Sequence, residues 1–190
     1  MNEHADSVAT DQTGPGAQLL VEQGRLYYQQ GEFEEALSHF QRAYEQYKRD
    51  EGWSQVAETA NDIGVVYTSL RRWSEAEKWI YEAHKLFGDL KDYDGEAQTL
   101  GNLGSMFHLR GNLNEASANL QLAADRFHLL GDNERRMSTL KVLSMVRLRQ
   151  LRLFQALAAY EAALACHPHP TAFHRFLRRL LSLPLRVVGS

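Results

Sequence analysis

Small and bulky apolar positions recur along this chain every forty residues. Gly24, Gly64 and Gly104 stand 40 apart, and Ser144 takes the fourth place. Three residues after each come Tyr27, Tyr67, Phe107 and Arg147. Further columns hold Phe33, Trp73, Leu113 and Leu153; Ala36, Ala76, Ala116 and Ala156; Phe40, Ile80, Leu120 and Tyr160; and Ala43, Ala83, Ala123 and Ala163. Offsets of 3, 4 and 7 within each half place these residues on one face of a helix. Small residues let helices approach closely, and the large residues fill the hollows that the small ones leave. Between the halves lie Gln30-Gly31-Glu32, Arg71-Arg72, Arg110-Gly111-Asn112 and Gln150-Leu151-Arg152, which read as short turns between antiparallel helices. Gly31 and Gly111 suit a left-handed helix end. Helices are expected at 17–30, 33–49, 53–71, 74–88, 94–110, 113–130, 133–150, 153–166 and 171–183.

Composition supports helices and nothing else. Of the four prolines, three lie after residue 167, so Ala17 to Cys166 is free of them, as long helices require. Helix formers dominate that stretch, and no alternating Val, Ile and Thr runs argue for a sheet. The chain is expected to be all-α.

The columns resemble the tetratricopeptide-repeat family, which pairs Leu-Gly-x-x-Tyr on a first helix with Ala-x-x-x-Phe on a second. Here the pattern reads Ile63-Gly64-Val65-Val66-Tyr67 with Ala76 and Ile80, then Leu103-Gly104-Ser105-Met106-Phe107 with Ala116 and Leu120. The first unit reads Gly24-Arg25-Leu26-Tyr27 with Ala36 and Phe40. The period is 40 rather than the family's usual length, with connecting loops at Asp50-Glu51-Gly52, Asp92-Tyr93-Asp94-Gly95 and Gly131-Asp132-Asn133. In this it is similar to the extended repeats of kinesin light chains and of bacterial regulatory proteins. The resemblance implies a right-handed α-α superhelix, a solenoid of four helix pairs closed by a C-terminal capping helix. The repeats then cover 17–52, 53–92, 93–132 and 133–166, after a disordered tail at 1–16 and before an amphipathic cap and tail at 167–190.

The resemblance also implies a job. In the family the first helix of each pair lines a concave groove that holds a peptide or a helix of a partner protein. Carried onto this chain, the lining positions are Arg25, Tyr28 and Gln29; Asn61, Val65, Thr68 and Ser69; Asn102, Ser105, His108 and Leu109; and Lys141, Met145, Leu148 and Arg149. Asparagines suit an extended backbone, and the cations suit acidic side chains. The expected function is therefore a non-enzymatic scaffold or adaptor. The alternative is a structural subunit or assembly factor, held in a larger complex or self-associating through the array ends and the basic C-terminal helix.

Charge sharpens this picture. Residues 1–100 carry 19 acidic and 9 basic side chains, a balance of −10, while residues 101–190 carry 5 and 12, a balance of +7. A basic C-terminal half suits an acidic partner or a head-to-tail contact between copies. Arg135, Arg136, Lys141, Arg147, Arg149 and Arg152 concentrate that charge. The negative total of −3 and the lack of an evident stacking platform argue against nucleic acid as the partner.

Beyond His167-Pro168-His169-Pro170, Thr171 suits a helix N-cap, and Phe173, Phe176, Leu177, Leu180 and Leu181 form an apolar stripe beside Arg175, Arg178 and Arg179. That helix is expected to cap the array, to dock a partner, to join two copies or to lie on anionic lipid, with a partner or a second copy favoured over lipid. Cys166, His167, His169 and His174 match no zinc spacing, so no metal is assigned. The chain shows no phosphate-binding loop or catalytic motif, and no cofactor is implied. With one cysteine, no signal peptide in the first 16 residues and no apolar run of membrane-spanning length, a cytoplasmic address is expected.

Overall fold

The computed structural model describes residues 16–167 together with 171, 172, 175, 176 and 179. Eight helices follow one another: α1 (Ala17–Gln30), α2 (Phe33–Arg49), α3 (Trp53–Ser69), α4 (Trp73–Leu90), α5 (Tyr93–Arg110), α6 (Leu113–Leu129), α7 (Asn133–Arg149) and α8 (Leu153–Ala165). No strand occurs among the described residues. The capping helix expected at 171–183, the tail at 1–16 and the His169 and His174 positions lie wholly or mostly outside the described residues.

Each helix packs on the one before it and the one after it, which makes four antiparallel pairs stacked in a row. The packing columns do what their sizes demand. Ala36, Ala76 and Ala116 are completely buried, as are Ala43, Ala83, Ala123 and Ala163. Gly64 shows why its column is small. A Cβ there would meet Cγ1 of Ile80 at 2.5 Å and the Ile80 backbone N at 3.1 Å. At Gly104 a Cβ would stand 2.6 Å from Cγ of Leu120. The second helix of each pair thus lies directly on the first, and the +16 column supplies the bulky partner in both cases. One apolar cluster runs from Ala36 to Cys166, and Ala97, Ala123 and Phe127 form a small satellite.

The turns follow a finer rhythm than the forty-residue columns. Gly31, Glu51, Arg71, Lys91, Gly111, Gly131 and Leu151 all have positive φ, between 56° and 93°. They stand twenty residues apart, one at each inter-helix turn. The residue after each left-handed residue sends its N–H back to a carbonyl near the end of the preceding helix, as Glu32 does to Tyr27 at 2.9 Å and Arg72 does to Tyr67 at 2.9 Å. These are Schellman-type closures that satisfy otherwise orphaned carbonyls. Glycine takes three of the seven places without strain. Glu51, Arg71, Lys91 and Leu151 hold the same conformation with a Cβ, at about 1 kcal/mol each.

The fourth pair departs from the others. Ser144 replaces the glycine and donates its hydroxyl to the Ala156 carbonyl at 2.9 Å. Arg147 replaces the aromatic residue. Its guanidinium donates to Oε1 of Gln121 at 2.7 Å and to the Gln155 carbonyl at 3.4 Å, while Nε is buried without a partner. The counterpart two repeats earlier is Gln41 donating to the Tyr67 hydroxyl at 3.3 Å. Burial, and then the charge of Arg152, pull the Arg147 pKa below the usual guanidinium range.

Candidate partner-binding surface

Two layers make the solenoid: α1, α3, α5 and α7 in one, α2, α4, α6 and α8 in the other. First helices touch across repeats, α3 on α5 and α5 on α7, whereas α4 and α6, or α6 and α8, make no comparable contact. The first-helix layer is therefore the tighter, inner side of the curve.

Polar side chains stitch that inner layer together in a fixed offset. Tyr28 and Ser69 share a hydrogen bond at 3.1 Å, Asn102 donates to Oδ1 of Asn61 at 2.8 Å, and Arg135 donates to the Asp94 carboxylate at 2.9 Å. Each pair is separated by 41 residues. Neighbouring first helices thus meet one residue out of step with the forty-residue repeat. This explains why Asn61 stands three residues before its glycine and Asn102 stands two before, and why the two nonetheless face each other.

The expected lining residues differ in what holds them. Asn61 is 3% exposed and its carbonyl is taken by Asn102, so this amide joins repeats two and three. Thr68 and Ser105 are half-buried and donate their hydroxyls to their own helix, to the Gly64 and Gly101 carbonyls at 2.9 Å each. Arg25 is exposed but paired with Asp62 at 3.3 Å, and Tyr28 is half-buried beside Phe33. Val65 lines a shallow hollow with Arg25, Tyr28, Gln29 and Phe40. Lys141, Met145 and Arg149 are exposed and stand free of those interactions. His108 is half-buried; burial, then the nearby Arg149 charge, hold its imidazole pKa below the ordinary histidine value.

An acidic hollow escaped the sequence reading. Glu22, Glu58 and Asp62 line it with Tyr47 and Arg25, between α1 and the start of α3. Burial pushes the Asp62 carboxyl up while Arg25 pulls it down. Burial, followed by the Glu58 charge, raises the Tyr47 hydroxyl. Glu22 and Asp62 share one column, two residues before the glycine, and that shared acid was the signal available in the sequence. The inner surface is consequently acidic at its first end and basic at its last.

A tetratricopeptide-repeat family model matches residues 17–89, the first two helix pairs. The third and fourth pairs repeat the same columns at the same spacing. The first two helix pairs match the tetratricopeptide repeat. The chain is similar to regulatory protein RapG of Bacillus subtilis, 27% identical over 108 residues that make up 56% of this chain and 30% of that protein. It is also similar to the mitochondrial tetratricopeptide repeat protein 19 homolog of Drosophila melanogaster, 30% identical over 102 residues, 53% of this chain and 28% of that one. The chain thus spans less than a third of the length of either curated relative. Among solved structures, BtubC (BKLC) from P. vanneervenii superposes with a TM-score of 0.65 at 18% identity, over 88% of this chain and 65% of that chain. That likeness shows the fold. No described helix is long and apolar enough to cross a membrane.

Proposed function

We propose that this chain is a cytoplasmic, non-enzymatic scaffold or adaptor that holds a segment of a partner protein along the inner surface of α1, α3, α5 and α7. One observation carries the reading. The first helices contact one another across repeats, yet their inward positions retain side chains that packing does not consume, from Val65 to Met145 and Arg149. A helix layer that existed only to build the array would bury those positions.

The test uses affinity capture from native lysate with the protein and two variants. Val65→Lys with Ser105→Lys obstructs the inner surface; Arg42→Glu with Lys78→Glu alters exposed residues of the outer layer. The reading expects one set of partners to be lost with the first variant and kept with the second, at unchanged thermal unfolding. The reverse pattern defeats it. The structural-subunit reading has its own support in the last described helix, where Leu153 is exposed while Phe33, Trp73 and Leu113 in the same column are half-buried. Light scattering separates the two: a monomer supports the adaptor, and a stable oligomer supports the subunit.

A further inference from the structure

Four columns change character in the last repeat. Position 145 is Met where earlier repeats have Arg25, Val65 and Ser105, and position 148 is Leu where they have Tyr28, Thr68 and His108. Position 151 is Leu where they have Gly31, Arg71 and Gly111, and position 154 is Phe where they have Glu34, Ser74 and Asn114. All four new side chains face water: Met145 and Leu148 are each 54% exposed, Leu151 84% and Phe154 52%. They follow one another along the chain from the inner face of α7, around the turn, to the first turn of α8. Several large apolar side chains left exposed along one short stretch of chain point to a place where another molecule can sit.

Leu151 adds a second, independent signal. It holds φ at 61°, the left-handed conformation that Gly31 and Gly111 adopt at the matching turns. A large apolar residue here is strained and almost fully solvated at once. Inside the described array this side chain buries little, which leaves it available for a contact with another molecule.

The rim is basic. Lys141 and Arg149 lie on the same face of α7 as Met145 and Leu148, at helical spacing, and Arg152 sits in the turn beside Leu151. All three are exposed, and among the described residues none forms an ion pair with a carboxylate. Arg25, Arg72, Arg110 and Arg135 elsewhere in the array are all so paired. We infer that the inner and turn-edge surface of the fourth repeat docks a short amphipathic helix of a partner protein, one that carries leucine-type residues on one face and Asp or Glu beside them. The apolar face covers Met145, Leu148, Leu151 and Phe154, and the acids meet Lys141, Arg149 and Arg152. The chain's own C-terminal segment carries Arg175, Arg178 and Arg179, the same sign as this rim, so charge favours an acidic partner over it.

The inference rests on the groove reading only for its inner half, and the two fail separately. The probes are a synthetic 18-residue amphipathic helix of leucine and glutamate and its leucine–lysine twin, titrated into the full chain at low salt. The glutamate peptide is expected to bind at least tenfold more tightly than the lysine peptide and to weaken as salt rises. Lys141→Glu, Arg149→Glu and Arg152→Glu together are expected to reverse that preference. Leu148→Asp with Leu151→Asp is expected to weaken binding at least tenfold, at an unchanged helical circular dichroism spectrum. Equal binding of both peptides, no binding of either, or a preference that survives the triple reversal overturns the proposal. A dimer of the unmodified chain that Leu151→Asp with Phe154→Asp dissolves also overturns it, by making a second copy the occupant. If partner capture is lost with Val65→Lys and Ser105→Lys but kept with the Leu148 and Leu151 changes, the groove reading stands and this one falls. The opposite result does the reverse.

Discussion

In the second repeat the aromatic column holds Tyr67, buried among apolar neighbours, with the Arg72 guanidinium 4.8 Å over its ring and its hydroxyl bonded to Gln41. In the fourth repeat the same column holds the half-buried Arg147, whose Nε is enclosed and finds no partner. The glycine of repeat two lies against a fully buried Ile80, whereas Ser144 works beside a half-buried Tyr160. The turn of repeat two leaves Arg71 in solvent, and that of repeat four leaves Leu151 there. Both repeats obey one backbone register, so backbone geometry does not explain the difference. Repeat two is sandwiched by helices on both sides and can devote its side chains to packing. Repeat four ends the described array, packs less tightly and displays more.

That contrast is sharpest in the core. Ile80→Ala removes a side chain with no solvent exposure and is expected to cost about 3–4 kcal/mol, while Tyr160→Ala costs less than half as much. Denaturant titration checks both, and equal losses would erase the difference between the repeats. Next in size is the glycine column. Gly64→Ala drives a Cβ into Ile80 and is expected to cost about 1–3 kcal/mol by overpacking. Ser144→Ala loses one hydrogen bond and costs about 1 kcal/mol or less.

The aromatic column gives a prediction of the opposite sign. Arg147→Tyr replaces a poorly satisfied buried cation with the residue that repeats one and two use, and is expected to stabilise by about 1 kcal/mol. A drop in midpoint would mean that the Gln121 and Gln155 contacts matter more than burial of the charge. Leu151→Gly relieves left-handed strain against a greater entropy loss on folding, for a net gain of about 0.5 kcal/mol. The smallest effect concerns protons. The folded His108 pKa lies below the unfolded value near 6.5, so the unfolded chain binds the proton more readily. Stability from this group is full above that value and declines as pH falls through it towards the folded pKa. His108→Leu, the residue of repeat four in that column, is expected to flatten the slope of stability between about pH 7 and pH 5.

Much of the fold was legible because packing columns carry both size and period. Alanines at two places and a small residue at a third force close helix contact, and each described helix begins and ends within two residues of its expected bounds. The helix expected to end at residue 88 runs on to Leu90, because the left-handed stop belongs to Lys91, twenty residues after Arg71. Four of those seven stops are not glycine, which hides the twenty-residue rhythm from composition. The inner surface was legible as a set of positions and not as chemistry. Whether Asn61 faces a ligand or a neighbour depends on the 41-residue offset between helices, which no single helix pattern contains. Thr68 and Ser105 read as groove-lining positions, but each donates its hydroxyl to a carbonyl of its own helix four residues back.

The claim on which the functional account turns is that a partner lies against the first-helix layer. Hydrogen–deuterium exchange of the full chain, with and without a captured partner, tests it most directly. The account predicts added protection concentrated in α3, α5 and α7, strongest in α7. Protection confined to α2, α4 and α6, with the first helices unchanged, would contradict it.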